Sequence, residues 1–427
     1  CLLGTVSFGP KAAAVLPLLR IMLPYTFFIC LVALGMAILN SFRRFGLAAS
    51  TPVVMNVVMI LTLVLICPWY GTSTTERVYV AAWGVIGAGV LQFACQIPAL
   101  VRVGFRPEVS FAWRQDARVR RVLLLMGPVA LGLGVFQINV VVDGLLALVA
   151  APWAPAALTY AQRIVYLPLG LFGTAMGIVL LPTLSRHVAR NEQGEILSTI
   201  GMALRNLIVM MLPASAGLLV LATPIVQLVY AWSGGQFTDR SVALTARALA
   251  FYAPGLVLFS MYKVFVPAFY ALKDTWTPVR VGMGAVALNF VLNVLSVVFL
   301  PTDYRHAGLA LSTVIASGVN CLVLGRLLHR RLGSPGWSDM AATAAKSLVA
   351  ATIMGAVVAG AHALLKTAAA QAGVGLKAGQ WIAVPGSILA GLVVYAILAL
   401  ILCRREVRDM LGRKRGSAVP DDPGGGV

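Results

Sequence analysis

Long apolar runs separated by short polar breaks make up most of the chain. The runs are about 20 residues or longer and do not alternate polar with apolar positions. That length and lack of alternation predict membrane-spanning helices, not β-strands. Eleven spans are read, at roughly 21–41, 50–69, 78–101, 122–149, 157–183, 204–230, 242–270, 278–300, 307–328, 341–365 and 380–403. The longer ones must tilt or extend beyond the bilayer. The remainder from Arg404 is basic, then polar and rich in Gly and Pro over 420–427, and is expected to be disordered.

Composition agrees with this pattern. Hydrophobic residues make up 60% of the 427 and charged residues 11%, against about 25% charged in a soluble chain. Mean hydropathy is +0.91. A soluble, disordered or fibrous protein is excluded, leaving an all-α polytopic membrane protein. The net charge of +19 does not point to nucleic acid, because the cations lie in the breaks between spans. Alternate breaks differ sharply. One set, with the tail, carries 21 Lys and Arg, including Arg43, Arg44, Arg102, Arg186, Arg280 and Arg331. The other set, with the residues before the first span, carries 7, among them Arg77, Arg240 and Lys366. Basic loops face the cytoplasm, so the first residues are placed outside and the C-terminus inside. The six cysteines show no CxxC spacing, which argues against a disulfide framework or a zinc site.

An internal repeat is present. Leu19-Arg20-Ile21-Met22-Leu23-Pro24-Tyr25, Thr51-Pro52-Val53 and Asn56 correspond to Leu249-Ala250-Phe251-Tyr252-Ala253-Pro254-Gly255, Thr277-Pro278-Val279 and Asn289, with proline offsets of 230 and 226. Six spans separate the copies, so the repeat is parallel, as in two-lobed transporters. Three spans precede the second copy and none the first. The chain also opens at Cys1. A six-plus-six protein lacking its first three helices is therefore expected. The expected organisation is the end of a first lobe (1–104), a basic cytoplasmic connection (105–121), a second six-helix lobe (122–331), two extra helices (332–403) and a cytoplasmic tail (404–427).

These segments resemble the MurJ/MviN family of lipid II flippases. The resemblance rests on Arg20-Ile21-x-x-Pro24-Tyr25, Ile38-Leu39-Asn40-Ser41, Thr51-Pro52-x-x-x-Asn56, Gln92-x-x-x-Gln96-x-Pro98 and Met126-Gly127-Pro128. It rests also on Tyr160-Ala161-x-Arg163, Leu180-Leu181-Pro182-x-Leu184-Ser185, Ala268-Phe269-Tyr270-Ala271-x-x-Asp274 and His306-Ala307-Gly308. It covers about 20–330. It implies a fourteen-helix flippase of the bacterial cytoplasmic membrane, working by alternating access with no catalytic step. The implied cargo is the lipid-linked peptidoglycan precursor, lipid II, moved from the inner to the outer leaflet, with cell-wall synthesis proteins as possible partners. Another exporter of the same superfamily is the alternative. The family often has Glu three residues after the Arg of Tyr-Ala-x-Arg; here that position is Tyr166.

A charge inside a span costs at least about 2.5–3.5 kcal/mol, so intramembrane charges are the first candidates. Arg163, flanked by Tyr160 and Tyr166, offers a bidentate fork for pyrophosphate; the competing role is snorkelling to the interface. Arg247 is a further substrate candidate with the same competing role; Lys263, deeper and near the polar face of Ser260 and Tyr262, is another; and snorkelling is favoured for Arg205 and Lys346. Gln92 and Gln96, one turn apart, either touch substrate or bond between helices. Asp143 is the one acidic residue deep in a span. With Asn289 and Asn293, one turn apart, and Thr313, it forms an oxygen set suited to Na⁺ as a coupling ion. A protonated Asp143 and a purely structural cluster are the alternatives. The last two spans are expected to form a lipid-tail groove faced by Gly355, Gly360, Gly391 and Ala399. The sequence carries no Walker motif, HExxH or nucleophile elbow.

Overall fold

The structure, a computed structural model, describes residues 16–42, 44–71, 73–105, 119, 134, 137, 139–231, 237–373 and 375–412. Lys11, Arg43, Arg106, Arg114, Arg118, Arg120, Arg121, Met126-Gly127-Pro128 and the tail beyond 412 lie outside the described residues, as does most of the first half of the expected span 122–149. Every regular element among the described residues is a helix. Nine are long and apolar enough to cross a membrane, or ten if the bent pair Asp239–Tyr252 and Gly255–Ala271 is one span. Many outward side chains are large and apolar, such as Leu167, Val179 and Leu389, each more than 60% exposed. A surface of that kind is compatible with lipid and not with water. The protein is a multi-pass membrane protein.

The chain divides into two compact units, Cys1–Leu124 and Leu125–Val427. In the first, α1 (Tyr25–Ser41) and α2 (Phe45–Leu61) pack on α3 (Thr74–Arg102). A capping box starts α3: the Ser73 hydroxyl accepts from the Glu76 N–H at 3.2 Å and the Ser73 N–H donates to the Glu76 carboxylate at 3.2 Å. Both orphan donors at the helix start are thereby satisfied.

The second unit contains α4 (Asn139–Ala150), α5 (Ala154–Pro168), α6 (Ala175–Ala189), α7 (Gln193–Val220) and α8 (Ala222–Tyr230). After these come α9 (Asp239–Tyr252), α10 (Gly255–Ala271), α11 (Trp276–Phe299), α12 (Thr302–Leu332), α13 (Trp337–Gln371), α14 (Leu376–Leu402) and α15 (Arg404–Gly412). A π-helical turn, Leu169–Thr174, joins α5 to α6 directly after Pro168. Helices α7 and α12 form the centre: half or more of their most apolar stretches is buried. Leu204, Leu207, Leu249, Phe269 and Leu324 fill the core between α7, α9, α10 and α12.

Three expectations are corrected. The span expected at 204–230 begins at Gln193 and breaks at Leu221; Pro224 lies in the first turn of α8, where its missing N–H costs no helical bond. The span expected at 242–270 is two helices bent by 48° at Ala253-Pro254. Residues 404–412, expected as a disordered tail, form α15: Glu406 is buried and accepts from the Thr343 hydroxyl at 2.6 Å, and Arg405 pairs with Asp339 at 3.4 Å.

The sequence repeat recurs bond by bond. Both α1 and α10 are 17 residues long and follow a proline. Leu23 N–H to Leu19 O (2.9 Å) matches Ala253 N–H to Leu249 O (2.9 Å). Phe42 N–H to Ile38 O (3.3 Å) matches Leu272 N–H to Ala268 O (3.3 Å), and Arg44 N–H to Leu39 O (2.9 Å) matches Asp274 N–H to Phe269 O (3.0 Å). Each pair differs by 230 in residue number.

Helices α13 and α14 pair and dock on α7. The Tyr395 hydroxyl donates to Val209 O at 2.6 Å, within a seam of Ala350, Met354, Val358 and Ala399. A Cβ built at Gly391 would lie 2.5 Å from Val358, and one at Gly355 would touch Val220 at 3.4 Å. Gly355, Gly391 and Ala399 are therefore committed to helix packing, because small residues there allow the backbones to approach. Of the four residues expected to face a lipid tail, Gly360 alone is open.

Candidate functional site

Helix α5 exposes a stripe at helical spacing through Ala156, Thr159, Arg163 and Tyr166. Arg163 makes no hydrogen bond or ion pair with any described residue. Beside it, Tyr160, Tyr230 and Phe237 pack ring against ring, with centroids 4.7–5.6 Å apart. The Tyr230 hydroxyl donates to Tyr160 O at 3.1 Å and lies within the field of Arg163. An exposed, uncompensated guanidinium on an apolar helix can receive a planar or tetrahedral anion by two parallel N–H bonds. Lys263 is likewise exposed and unpaired among the described residues; its backbone packs closely on Gly177 of α6.

The other two substrate candidates are engaged elsewhere. Arg247 donates from Nη1 to Asp303 O at 2.7 Å, and its guanidinium lies 4.3 Å from the Tyr304 ring centre. It fastens α9 to the start of α12. Gln96 is 1% exposed and donates to the Thr51 hydroxyl at 3.2 Å, while Gln92 donates to Thr51 O at 3.0 Å. A side chain at Gly35 would overlap the Gln96 amide. Both glutamines tie α3 to α2 in the first unit, and Gln96 has no open face toward a substrate. Arg205 is buried against Gly201 and Gly336 instead of snorkelling.

The polar residues of α4, α11 and α12 converge as their spacing suggested. Asn139 Nδ2 lies 3.3 Å from Asp143 Oδ2, and Asn293 Nδ2 donates to Asp143 Oδ1 at 2.7 Å and to Asn289 Oδ1 at 3.0 Å. Asn289 Nδ2 is 3.4 Å from the Thr313 hydroxyl, which donates to Leu309 O at 3.1 Å. With its amide turned over, Asn289 instead donates to Asp143 Oδ1 at 2.9 Å. Asn289 and Asn293 are 4% and 1% exposed. The cluster holds one carboxylate with no Lys or Arg partner among the described residues, and Asn293 Oδ1 is enclosed with no donor facing it. An unmatched acceptor beside an unmatched negative charge fits a small hard cation that binds oxygen.

One interhelical bond was not foreseen. Tyr252, 3% exposed at the end of α9, accepts from Gln162 Nε2 of α5 at 2.9 Å, a bond that joins the two helices.

At the end of α10, Asp274 receives the Thr277 N–H at 3.0 Å and the Thr277 hydroxyl at 2.8 Å, and pairs with Arg331 at 2.6 Å. Partial burial pushes its pKa up, but the Thr277 donors and Arg331 outweigh this and hold it below the usual carboxylate range.

A family model described as "Lipid II flippase MurJ" matches residues 3–372. The "Probable lipid II flippase MurJ" of Vibrio cholerae serotype O1 is 37% identical over 314 residues, covering 73% of this chain and 57% of the relative. The "Lipid II flippase MurJ" of Burkholderia cenocepacia is 33% identical over 340 residues, covering 78% and 64%. A solved structure of "Lipid II flippase MurJ, inward closed conformation" has a TM-score of 0.71 at 25% identity, over 92% of this chain and 75% of that one. The chain spans less than two thirds of either relative's length. With a family match over most of its residues and relatives above 30% identity, the chain belongs to the lipid II flippase MurJ family.

Proposed function

We propose that the protein takes part in moving lipid II across the bacterial cytoplasmic membrane, from the inner to the outer leaflet, for cell-wall synthesis. The observation that carries this is Arg163: an exposed guanidinium without a described anionic partner, on a helix of the family's Tyr-Ala-x-Arg segment. It supplies the fork that a pyrophosphate needs while the polar headgroup crosses an apolar barrier. Lys263 adds a point charge of the same sign. The protein acts as a carrier and not as an enzyme. The excess of basic residues in one set of breaks supports a topology with the first residues outside and α15 in the cytoplasm.

Asp143, Asn289, Asn293 and Thr313 would hold a monovalent cation, Na⁺ being the fit for this oxygen set. Bound there, it neutralises the carboxylate and gives Asn293 Oδ1 its missing partner. Asn139 orients the carboxylate from the same helix.

Depleting the gene product tests the transport reading. Lipid II should accumulate on the inner leaflet and wall growth should stop. Unchanged lipid II distribution, with loss of drug resistance instead, would favour a different exporter.

A further inference from the structure

A groove of about 510 Å³ lies between α11 and α12, walled by Leu295, Leu311 and Ile315 and reaching Leu300 and Gly308 at one end. The three wall residues are 39–44% exposed, so the groove opens toward the membrane. Two hydroxyls line it, and the walls satisfy both. Ser312 donates to Gly308 O at 2.8 Å, and its oxygen, 3.3 Å from Ser296 Oγ, is left to accept from Ser296. The groove therefore offers an apolar chain a surface with no unmet hydroxyl. Gly308 sets the approach of the helices at its end: a Cβ there would lie 2.5 Å from Leu300 and 2.8 Å from Ser296.

A cation stands at the same end. Arg305, Gly308, Ser312 and Ile315 fall three, four and three residues apart on α12, so they share one helix face. Arg305 precedes the groove by one turn. Its Nε donates to Leu300 O at 3.1 Å, which ties the guanidinium to a residue of the groove. Its two terminal nitrogens bond no described residue, leaving a pair of donors with the geometry of a phosphate fork. The neighbouring carboxylate, Asp303, is two residues earlier and so on the opposite side of the helix.

Length and charge select the occupant. From Arg305 to Ile315 is about 15 Å along the helix, half of a hydrocarbon core about 30 Å thick. The groove thus runs from the interface to the midplane, the reach of a chain anchored in one leaflet. A zwitterionic headgroup carries its own cation beside the phosphate, which competes with Arg305; a net anionic one does not.

We propose that this groove binds one acyl chain of an anionic glycerophospholipid, whose phosphate sits on Arg305. With the topology proposed above, the lipid belongs to the outer leaflet. The site shares no residue with Arg163, Lys263 or the Asp143 cluster, so it stands whatever the cargo.

The test uses the intact gene product in nanodiscs doped with lipids carrying a photoreactive diazirine midway along one chain. Three probes are compared: phosphatidylglycerol, phosphatidylcholine and a polyprenyl phosphate. Labelled peptides are counted by mass spectrometry. The phosphatidylglycerol probe should label 292–315 about fivefold more than phosphatidylcholine, the effect of one basic side chain beside anionic lipid. Arg305→Gln should remove that preference and Arg305→Lys should keep part of it. Ile315→Trp, at an exposed position, should block labelling of the groove while leaving α14 labelled as before, which also shows that the variant is folded. Equal labelling by the two phospholipids, or an unchanged preference in Arg305→Gln, would mean ordinary boundary lipid and overturn the site. Preferential labelling by the polyprenyl probe alone would make the groove a tail site and overturn the phospholipid assignment.

Discussion

Single residues divide into those free to act and those already engaged. Arg163 and Lys263 have exposed charges without described partners, whereas Arg247 and Gln96 are committed to packing. Arg247→Ala should cost about 0.5–1 kcal/mol through loss of the Tyr304 contact, read as a lowered unfolding midpoint. Transport per folded molecule should stay near that of the parent. Asp274 contributes a pH dependence. Its folded pKa lies below the ordinary value of about 3.9, so its contribution is complete above that value and is lost as pH falls through the lowered folded pKa. Acid unfolding curves of the protein and of Asp274→Asn should converge at low pH and separate above about pH 4. The Asp143 cluster was legible because residues four apart share a helix face and because Asp143 is the one acidic residue deep in a span. The engagement of Arg247 was not legible. Its partners, Asp303 and Tyr304, lie on another helix, and periodicity carries no information about which helices touch.

Helical elements were readable in type, because a 20-residue apolar run has few alternatives in lipid. Their breaks were less so. Leu221 interrupts a run whose hydropathy is continuous, and the break shows only in backbone angles and in the placement of Pro224. The bend at Ala253-Pro254 was marked by a proline, but Pro213 sits inside α7 without ending it, so proline alone does not decide. The seam between α13 and α14 gives a contrast that separates packing from exposure. Gly391→Leu, forced against Val358, should destabilise the pair by about 1–3 kcal/mol. Gly360→Leu, in open space, should be neutral within about 0.5 kcal/mol. Unfolding midpoints in detergent distinguish the two, and equal effects would contradict the seam.

For the molecule as a whole, the sequence pattern was enough to predict an all-α membrane protein with an internal parallel repeat, and the backbone bonds at a spacing of 230 carry that repeat into the structure. The proposed function rests on where charge is left uncompensated within that frame, and Arg163 is the residue on which the transport reading turns. The direct measurement is the fraction of lipid II exposed on the outer leaflet of cells whose own flippase has been removed. These cells would produce the intact gene product, its Arg163→Ala form or its Arg163→Lys form at matched protein levels. The intact protein should restore exposure and Arg163→Ala should leave it near background. Arg163→Lys should fall between them, since a point charge replaces a bidentate fork. Full exposure with Arg163→Ala at normal protein level would contradict the role assigned to Arg163.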